Sequence, residues 1–564
     1  MPSVQREASY DVVVLGTGAA GMSTAVFAGL AGLKTLVLEH QSVIGGTTAL
    51  SAGTIWAPNN FIAQSLPQPD NYETALHYLD QIVGDNAPRV LREQFLKCAP
   101  LAIHTLHHQA NIPFRARPLH PDYHTEVDGA VLTGRAIETL PFDGRILGKQ
   151  FSWLSDPIRE FTVLGGMMVD RDDIQALLNP GTHIKHCSKI LLRHLIDRLS
   201  HKRGTRLVMG QALIARLLHA CRGLPVNFKL EAVTSAIEYE NGTVIGMRYQ
   251  HRGREQHVKC RHIVLAGGGF NHSATLRSVL LPAIDMQWCP GSAGNKGTTQ
   301  ALAKDIGAVY GESHHSYAFW APVSTRTRAN HSKAVFPHFV MDRGKPGMIT
   351  VNQQGKRFVN EATSYHLFGL AMQKAAAIPA YLICDAGALR RYGLGMIRPG
   401  ASQKALQEWV NKAYLYCGDR LEELARQLAI DPAGLNHTVE QFNLMAIAGT
   451  DTLFQRGSTA YQNANGDKAY TSEHGLSNPN LAPLTQAPYY AVKLYPGDIG
   501  AATGLACNQH AQVLNAAGEA LNGLYACGND MHSIMGGHYP GPGITLGPAI
   551  TFAYVAIEHI RHNT

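Results

Sequence analysis

The 564-residue sequence lacks the cysteine patterns of disulfide scaffolds, haem proteins and zinc sites. Its nine cysteines are an odd number at wide, irregular spacings, and no CxxC or CxxCH occurs among them. Such usage indicates reduced thiols and predicts a cytoplasmic protein. The 28 histidines fall in no HExxH or comparable ligand spacing, so we expect no metal site.

Long apolar runs are also missing. The first ten residues are polar, and no uninterrupted apolar stretch has the length of a bilayer-spanning helix, so no integral membrane segment is expected. Basic runs interleaved with aromatic residues are absent too, so the net charge of +7 indicates a solvated surface rather than a nucleic-acid partner. With 45% hydrophobic and 16% charged residues the chain is globular, and its length predicts about two to four domains or subdomains.

The N-terminal segment carries a dinucleotide-binding pattern in its full context. An apolar strand at 10–15 leads into Gly16, Gly18 and Gly21 at GxGxxG spacing, and a helical pattern and a second strand ending at Glu39 follow. The first glycine permits a tight turn, the second a close approach to phosphate and the third close helix packing, while the acid suits a ribose hydroxyl. NAD and FAD proteins share this fingerprint, so the pattern alone leaves the nucleotide open.

The small-residue loop that follows resembles a segment of one flavoprotein family. Residues 45–53 read GGTTALSAG. Similar segments pass the isoalloxazine ring in the family that contains the succinate dehydrogenase and fumarate reductase flavoprotein subunits and the 3-ketosteroid dehydrogenases. The resemblance implies FAD and an α/β fold, in which a Rossmann-like, glutathione reductase-type FAD-binding domain carries an inserted α+β substrate or capping domain.

Further family segments set the expected domain boundaries. The run 262–269 ends in Ala-Gly-Gly-Gly, where this family returns to its central sheet, and 355–361 matches its GxRFxNE signature. We therefore expect the first part of the FAD-binding domain at 1–290, the substrate domain at 291–487 and the second part of the FAD-binding domain at 488–564.

The resemblance also implies a set of residues around the cofactor. They belong to the phosphate-binding turn, the small-residue loop, the returning strands and the C-terminal loop: Gly16, Gly18, Ala19, Ala20, Gly21, Glu39, His40, Gly46, Thr47, Thr48, Ser51, Ala52, Gly53, Val233, Ala266, Gly267, Gly268, Asn271, Gly528, Asn529, Asp530, Gly543, Thr545 and Leu546. Val233 is expected near the adenine and Asp530 near the ribityl chain. The amides from Thr545 onward are expected to face flavin C2 and N1, where negative charge arrives on hydride transfer.

The C-terminal stretch 528–549 is crowded with glycine and proline and runs into a helical apolar pattern at 549–560. A helix N-terminus offers unpaired N–H groups and a positive dipole end, so the loop suits an electron-rich group. Tyr539 lies within this loop. A tyrosine beside free amides can stabilise a carbonyl oxygen that becomes an oxyanion.

Two features of this loop separate branches of the family. Enzymes of fumarate and succinate are known for arginines here, but this sequence has no Lys or Arg between Lys493 and Arg561, so the dicarboxylate clamp is missing. Instead, 539–543 reads YPGPG, which is similar to the YPGxG motif of 3-ketosteroid dehydrogenases. The sequence therefore favours a ketone over a dicarboxylate.

The same resemblance implies catalytic roles. Tyr539 and Gly543 would bind the ketone oxygen, Tyr317 would remove an α-proton as base, and Tyr123 would support it by a hydrogen bond, while hydride leaves the neighbouring carbon for flavin N5. A tyrosine with an ordinary pKa of about 10 is a poor base, so Tyr317 needs a lowered pKa. His314 and His315 could supply the positive charge that lowers this pKa. Phe319, Trp320 and Tyr365 are additional candidates for the lining of the pocket.

The sequence thus predicts an FAD-dependent dehydrogenase that introduces a carbon–carbon double bond next to a ring ketone, with C1–C2 of a 3-ketosteroid as the leading bond. A smaller cyclic ketone or the C4–C5 bond of a 5α-steroid would use the same chemistry, and a flavin reductase of an activated alkene is a further alternative. Because the sequence has no haem or iron–sulfur motif, electrons are expected to pass to an external acceptor, a quinone or another molecule. The oligomeric state stays open.

Overall fold

The structure is a computed structural model that describes residues 8–178, 181–312, 315–339 and 342–563. Within these ranges the chain forms two units, the first centred on a mixed sheet and the second on an antiparallel sheet. No helix in the described ranges is both long enough and apolar enough to cross a bilayer.

The first unit is built on a parallel core. The strand Ala8–Leu15 pairs in parallel with Thr35–Leu38 on one side and with Arg254–Leu265 on the other. Val226–Lys229 continues the sheet beyond Thr35–Leu38, and Ala520–Ala526 continues it beyond Arg254–Leu265, both in parallel. Three antiparallel strands complete the eight that the described residues contribute: Ala232–Glu240, Thr243–His251 and Gln512–Leu514. This is the central sheet that the βαβ pattern predicts.

Helices cover this sheet. Ala19–Leu30 consists mostly of small residues, and nearly all are buried because the helix packs against both the sheet and the C-terminal helix Leu546–Asn563. The C-terminal helix in turn packs against Arg89–His108. The other helices of this unit are Phe61–Gln64, Tyr72–Val83, Arg171–Leu178, Ile184–Ser200, Met209–Ala220, Ala274–Leu280 and Thr298–Asp305, with 3₁₀ turns at Thr48–Leu50, Gly84–Asn86, Gly144–Trp153, Arg159–Phe161, Met286–Trp288 and Gly528–Asp530.

Short strand pairs border this unit. Ile55–Trp56 pairs with Ala136–Thr139, which also pairs with Phe114–Ala116. The further pairs are Phe142–Asp143 with Arg206–Leu207, and Thr162–Val163 with Met167–Met168.

The second unit has a sheet with a core on each face. Its strands lie in the order Lys333–Pro337, Ala318–Thr327, Tyr489–Ala501, Ala380–Cys384 and Met348–Val351, with Tyr416–Gly418 paired to the long central strand. Leu382 and Cys384 belong to one apolar cluster and Tyr381 and Ile383 to another, as expected when alternate side chains point to opposite faces. Its helices are Tyr365–Lys374, Ala386–Tyr392, Gln403–Asn411, Leu421–Leu428, Pro432–Ala448, Ala460–Asn465 and Lys468–Glu473.

The limits of the second sheet differ from the predicted boundaries of the inserted domain, which stay a prediction. Helix Thr298–Asp305 packs on the first unit's strand Ala232–Glu240, so the chain enters the second sheet only at the strand Ala318–Thr327. The strand Tyr489–Ala501, predicted to begin the returning half, pairs on both edges within the second sheet. The strands of the second sheet therefore lie between residues 318 and 501, because an apolar strand pattern predicts a strand but not the sheet that it joins.

Candidate active site

The predicted phosphate-binding turn has the geometry that each glycine implies. Gly16 has φ +106°, and a Cβ atom there would lie 2.3 Å from the Ala266 carbonyl oxygen. At Gly21 a Cβ would lie 2.0 Å from the Gly16 oxygen, so this position fixes the packing of helix on strand. At Gly18 the nearest neighbour would be Thr48 Oγ1 at 3.7 Å, which leaves the backbone open to a ligand.

The small-residue loop forms the opposite wall of this opening. A Cβ on Gly46 would lie 3.7 Å from Gly18 Cα, so two glycine backbones face each other. Thr48 Oγ1 accepts a hydrogen bond from Ala19 N at 3.0 Å, and the helix that begins there has neither a side-chain cap nor an acid in its first turn. A helix N-terminus with an open glycine cradle fits the pyrophosphate of a dinucleotide.

The remainder of the loop is anchored by its own polar side chains. Thr47 Oγ1 accepts hydrogen bonds from Ser292 N and Asn295 Nδ2, both at 3.0 Å. Ser51 Oγ accepts from Gly53 N at 3.0 Å, and Ala52 lies between these two residues. The turn at 291–297 therefore supports the predicted loop, a contact that the sequence did not reveal.

The ribose and adenine candidates meet at one edge of the sheet. Glu39 is buried and accepts hydrogen bonds from Thr17 Oγ1 and, at 2.9 Å, from Gln41 N, while His40 Nδ1 lies 3.1 Å from the same carboxylate. Val233 is 49% exposed on the neighbouring strand, which starts where Ala232 N donates to the Glu39 carbonyl. An exposed apolar side chain here can cover an adenine ring.

The second glycine-rich turn is tied to the C-terminal loop by Asp530. This fully buried carboxylate accepts hydrogen bonds from Gly267 N at 2.6 Å, Gly269 N at 3.0 Å and Thr299 Oγ1 at 2.7 Å. Burial raises the pKa of Asp530, and these hydrogen bonds partly offset the effect. Asp530 thus holds the turn at Gly267 and Gly269, and its predicted contact with the ribityl chain stays a prediction.

Asn271 and Gly528 have packing roles. Asn271 Nδ2 donates to Asp498 Oδ2 at 2.6 Å, and Arg277 binds the same oxygen at 2.6 Å, so this pair pins the first unit to the central strand of the second. Gly528 has φ +64°, and a Cβ there would lie 2.9 Å from Ala20 Cβ. The turn that contains Gly528 and Asn529 is therefore pressed against the start of the first helix.

Tyr539 lies at the centre of a buried aromatic cluster. Its ring stacks on Tyr123 with centroids 5.7 Å apart, and meets Tyr365 and Phe319 edge-on, both at 5.2 Å. Tyr461 packs on the other side of Tyr123 at 4.9 Å. Five segments that are distant in sequence thus converge on one pocket wall. The prediction had assigned catalytic roles to Tyr539 and Tyr123 and had named Phe319 and Tyr365 as pocket candidates.

The hydroxyl groups of this cluster are coupled. Tyr123 OH donates to Tyr365 OH at 2.9 Å. Burial raises the pKa of Tyr123 and that of Tyr365 well above the ordinary value. Burial also raises the pKa of Tyr539, and hydrogen bonds with Tyr365 and Thr545 partly offset this rise. All three tyrosines are therefore neutral at pH 7, and Tyr539 is available as a hydrogen-bond donor.

The loop 539–543 is held from behind by backbone hydrogen bonds. Tyr123 N and Tyr78 OH both donate to the Pro540 carbonyl, at 2.8 and 2.7 Å, and Trp56 N donates to the Gly543 carbonyl at 3.1 Å. Among the described residues, no protein group accepts the Gly543 N–H. This amide is thus available at the start of the C-terminal helix, as an oxyanion site requires.

Glycine is required in this loop because it lies directly on the strand Ile55–Trp56. A Cβ on Gly541 would lie 2.5 Å from Trp56 Nε1, and one on Gly543, which has φ +94°, would lie 2.4 Å from the Thr54 carbonyl oxygen. At Gly547 the distance to the Trp56 carbonyl oxygen would be 1.9 Å. These three close contacts therefore fix the distance between the tyrosine loop and the strand Ile55–Trp56.

A buried ionic network supports the segment that carries Tyr123. Asp122 accepts hydrogen bonds from Trp56 Nε1 and Arg135, both at 2.8 Å, and Arg135 also pairs with Asp70 at 2.7 Å. Removing one partner of such a buried group costs about 3–5 kcal/mol, because the remaining charge stays desolvated. Asp122, next to Tyr123, therefore positions the tyrosine without touching the pocket.

Tyr317, predicted as the base, is placed elsewhere. Tyr317 is 44% exposed. Its backbone carbonyl accepts hydrogen bonds from the N–H groups of Ala502 and Thr503. Tyr317 directly precedes the strand Ala318–Thr327, and its side chain takes no part in the ring contacts and hydrogen bond that join Tyr123, Tyr365 and Tyr539, so the structure does not bring the predicted base to the site. Tyr365 occupies the corresponding position beside Tyr123.

Tyr365 is delivered by a well-formed helix start. Ser364 caps the helix Tyr365–Lys374 by accepting a hydrogen bond from Leu367 N at 3.3 Å, and the helix packs on the strand Ala318–Thr327. The sequence contained a signal for this residue, since Tyr365 comes four positions after the GxRFxNE signature.

The histidines near the cluster are neutral. His315 stacks on His538 with centroids 3.8 Å apart, and burial lowers the pKa of His315, that of His538 to about 4 and that of His366 to about 3. The expected positive charge from His315 is therefore absent at neutral pH, and His314 lies outside the described residues.

The cofactor loops and the tyrosine cluster meet at the N-terminus of the C-terminal helix. A small cavity of about 30 Å³ there is lined by residues of both regions, among them Phe319, Asn529 and Thr545. Leu546 N bonds the Gly543 carbonyl at 3.1 Å, which starts the helix directly behind Tyr539. The predicted cofactor loop and the predicted ketone site are thus neighbours, as hydride transfer between them requires.

Comparisons with known proteins agree with this geometry. The family described as FAD binding domain matches residues 11–546. A 4-oxocyclohex-2-ene-1-carboxylate 5-dehydrogenase of Sinomonas cyclohexanicum is 34% identical over 97% of this chain and 92% of its own length. A 3-oxosteroid 1-dehydrogenase of Mycolicibacterium smegmatis is 32% identical over 97% of this chain and 96% of its own. Among solved structures, 3-ketosteroid Δ1-dehydrogenase from Sterolibacterium denitrificans in complex with 1,4-androstadiene-3,17-dione matches with a TM-score of 0.90 and 32% identity, over 99% of this chain and 100% of that one.

Proposed function

Since this chain belongs to the FAD binding domain family, we propose that it is a dehydrogenase that introduces a carbon–carbon double bond next to a ring ketone. The predicted family, α/β fold and FAD cofactor are confirmed by the match over residues 11–546 and by the near-full-length relatives. The chain is an FAD-dependent oxidoreductase acting on CH–CH groups. The observation that carries the ring-ketone assignment is the buried cluster of Tyr123, Tyr365 and Tyr539 beside the open Gly543 amide.

The chain's residues fit FAD. The facing backbones of Gly18 and Gly46 would hold its pyrophosphate, Glu39 would bind the adenosine ribose, and the start of the helix Leu546–Asn563 would face the flavin ring. FAD, when bound, supplies the acceptor for a hydride.

The roles of the tyrosines follow from their protonation and placement. The hydroxyl of neutral Tyr539 and the Gly543 N–H both donate hydrogen bonds to the ketone oxygen. These hydrogen bonds stabilise the enolate-like negative charge that develops on this oxygen. Tyr365 removes the α-proton as general base. Tyr123 donates a hydrogen bond to Tyr365 and would hold its oxygen in place.

Two substrate classes fit this chemistry. A 3-ketosteroid desaturated at C1–C2 is the leading proposal, supported by the 3-oxosteroid 1-dehydrogenases among the relatives. The second is a smaller cyclic ketone that carries a carboxylate, supported by the 4-oxocyclohex-2-ene-1-carboxylate 5-dehydrogenase.

Lys345 is the observation that favours the carboxylated ring. Its ammonium donates to the Gly466 carbonyl at 2.9 Å, and among the described residues no carboxylate lies within 4 Å of it. Burial lowers the pKa of Lys345 to about 8. Arg343, two positions before the lysine, lies close enough to Tyr461 to lower its pKa, against burial, which raises that pKa to about 12. A desolvated cation near the pocket suits a substrate anion.

Electrons leave to an acceptor outside the chain in this proposal, a quinone or another molecule. We also propose a cytoplasmic location, which is supported by nine cysteines that are all free thiols. These thiols are mostly buried, and burial raises the pKa of several, among them Cys221, Cys260 and Cys527, each to about 12.

Anaerobic mixing tests the proposal. The purified flavoprotein is mixed without oxygen with androst-4-ene-3,17-dione, a saturated 3-ketosteroid and 4-oxocyclohexanecarboxylate, and loss of the oxidised flavin band is followed. Bleaching by a steroid supports the leading proposal, and bleaching by the small acid alone supports the second. If none bleaches but dithionite-reduced flavin is reoxidised by an enone, the protein is a reductase and the proposed direction is wrong.

A further inference from the structure

A second, larger cleft adjoins the small cavity at the start of the C-terminal helix. Its volume is about 580 Å³, within the range of about 300–1,000 Å³ that small-molecule sites occupy. One wall is formed by the start of the helix Arg89–His108 and the turn before it, and the other by the link between the two units and residues near the strand Gln512–Leu514. The cleft is therefore large enough for a ligand that the ketone site does not account for.

His532 is the wall that this cleft shares with the small cavity. The buried histidine lines both spaces. Its position is fixed on two sides, because its N–H donates to the Leu505 carbonyl at 2.9 Å and a Cβ on Gly311 would lie 2.3 Å from His532 Cγ. A molecule in the cleft would therefore be one side chain away from the space that the flavin ring is proposed to occupy.

The cleft leads from solvent towards this buried histidine. Asp85 and Arg89 line it and are exposed, whereas Ala87, Leu91 and Cys507 line it and are buried. A largely apolar interior with a few polar groups is typical of sites for small organic ligands.

The charged groups of the cleft favour a neutral ligand. Arg89 and Arg92 both pair with Asp80, each at 3.0 Å. Asp85 and Glu312 also line the cleft, so three carboxylates stand against two guanidinium groups and one negative charge is in excess. An anionic electron carrier would be repelled by this excess, whereas an uncharged molecule would not.

Arg92 has a hydrogen-bond donor that the protein does not use. Its side chain is 2% exposed and donates to the Ala87 carbonyl at 2.7 Å and to Asp80 at 3.0 Å. Its Nε has no hydrogen-bond partner among the described residues. Buried donors are nearly always paired in folded proteins, so an unpaired donor in the wall of a cleft points to an acceptor atom from outside the chain.

We propose that this cleft, named here the acceptor cleft, binds a quinone that reoxidises the reduced flavin. A quinone is neutral and carries two carbonyl oxygens that accept hydrogen bonds. It would take two electrons and one proton from the reduced flavin and a second proton from solvent, which yields the hydroquinone and returns oxidised FAD. The sequence has no haem or iron–sulfur motif that could take these electrons. The proposal rests on the proposed function in one respect, since turnover must first deliver electrons to FAD.

The loop that carries Tyr539 separates the acceptor cleft from the ketone site. Asn86 lines the cleft, and a Cβ on Gly536 would lie 2.5 Å from its carbonyl oxygen. Asn86 Nδ2 is also 3.1 Å from His538 Nε2, directly before Tyr539. Among the described residues that line the cleft, none belongs to the tyrosine cluster. The ketone and the quinone are therefore expected to bind independently.

Calorimetric titration of the oxidised, FAD-loaded protein with menadione, a soluble quinone, tests the proposal without turnover. We expect binding with a Kd that stays the same when 1,4-androstadiene-3,17-dione is present at saturation. Ala506→Trp places an indole in the cleft and should weaken menadione binding by about tenfold or more. Arg92→Lys keeps the positive charge beside Asp80 but lacks Nε, so binding should weaken by about fivefold.

Ala220→Trp is the matched control, because Ala220 is also a partly buried alanine of the first unit but does not line the cleft. This variant should bind menadione like the unchanged protein, and flavin absorbance and melting temperature report that each variant is folded. Stopped-flow reoxidation of the photoreduced flavin by menadione should be slowed in Ala506→Trp and should proceed with the steroid bound.

Displacement of menadione by the steroid overturns the proposal, because the quinone then uses the ketone site. An unchanged Kd in Ala506→Trp overturns it as well, because the quinone then binds outside the cleft. Failure of every ketone to bleach the flavin would instead contradict the proposed function, since the titration of Ala506→Trp and the photoreduction need no ketone.

Discussion

The nucleotide-binding turn and the tyrosine cluster are built from different kinds of atoms. At the turn, backbone atoms form the site, because Gly16, Gly18 and Gly46 leave open space or permit close approach. These glycines lie within one short stretch of the sequence. In the cluster, the side-chain hydroxyl groups of Tyr123, Tyr365 and Tyr539 form the site, and these tyrosines come from three distant segments. Backbone sites are therefore readable from local sequence, whereas a side-chain constellation depends on how separate elements pack.

Breaking the turn should have the largest effect. Gly16→Ala places a Cβ 2.3 Å from the Ala266 oxygen at a backbone angle of φ +106°, so we expect colourless protein without activity. Gly32→Ala is the matched control, because Gly32 also has positive φ, +77°, but no atom within 4 Å of the added Cβ. It should cost about 1 kcal/mol in the free energy of unfolding and keep its FAD. Flavin absorbance per protein and thermal melting measure both, and equal flavin loss in the two variants would mean that strain rather than contact governs the turn.

Tyr539→Phe should leave the turn intact and remove the ketone's donor. We expect kcat to fall by on the order of 10²–10³-fold while the protein stays yellow. Tyr381→Phe is the control, since this buried tyrosine bonds the Leu428 carbonyl at 3.2 Å within the second unit, and its loss should lower stability without lowering kcat. Near-normal turnover of Tyr539→Phe would contradict the assignment of the Tyr539 hydroxyl to the ketone oxygen.

The choice of base separates the structure from the sequence prediction. Tyr365→Phe should lower kcat by on the order of 10²–10⁴-fold, because no other described hydroxyl pairs with Tyr123. Tyr317→Phe should change kcat by less than about twofold, since the Tyr317 side chain faces solvent. Steady-state kinetics of the two variants decide the question, and the reverse order of effects would restore Tyr317.

The pH profile gives the smallest and sharpest difference. A base must be deprotonated, and burial holds the pKa of Tyr365 well above 10, so kcat/KM should rise by about tenfold per pH unit through neutral pH without a plateau. Tyr123→Phe removes the hydroxyl that donates to Tyr365, so the base is held less well and kcat/KM should fall by about tenfold at each pH. A plateau near pH 7 would contradict a buried tyrosine base.

The sequence predicted the parts of this molecule that local chemistry determines. GxGxxG between two strands sets the first unit, and YPGPG before a helix places Tyr539 and its amide. The prediction missed Tyr365 as the partner of Tyr123, because only packing of the helix Tyr365–Lys374 onto the strand Ala318–Thr327 brings the two hydroxyls within 2.9 Å. The sequence likewise gave no sign that the strand Tyr489–Ala501 pairs within the second sheet, since strand pairing is a long-range choice.

The three glycine contacts beneath the tyrosine loop decide where this enzyme can be re-engineered. Gly541, Gly543 and Gly547 rest on Thr54 and Trp56 without room for a methyl group, so a library that varies this loop would yield mostly inactive clones. The facing wall, with Tyr365 and Tyr461, belongs to the second unit and meets Tyr539 and Tyr123 through aromatic side chains. Changes in the size or charge of accepted ketones, whether in evolution or in the laboratory, are therefore expected to accumulate on that wall.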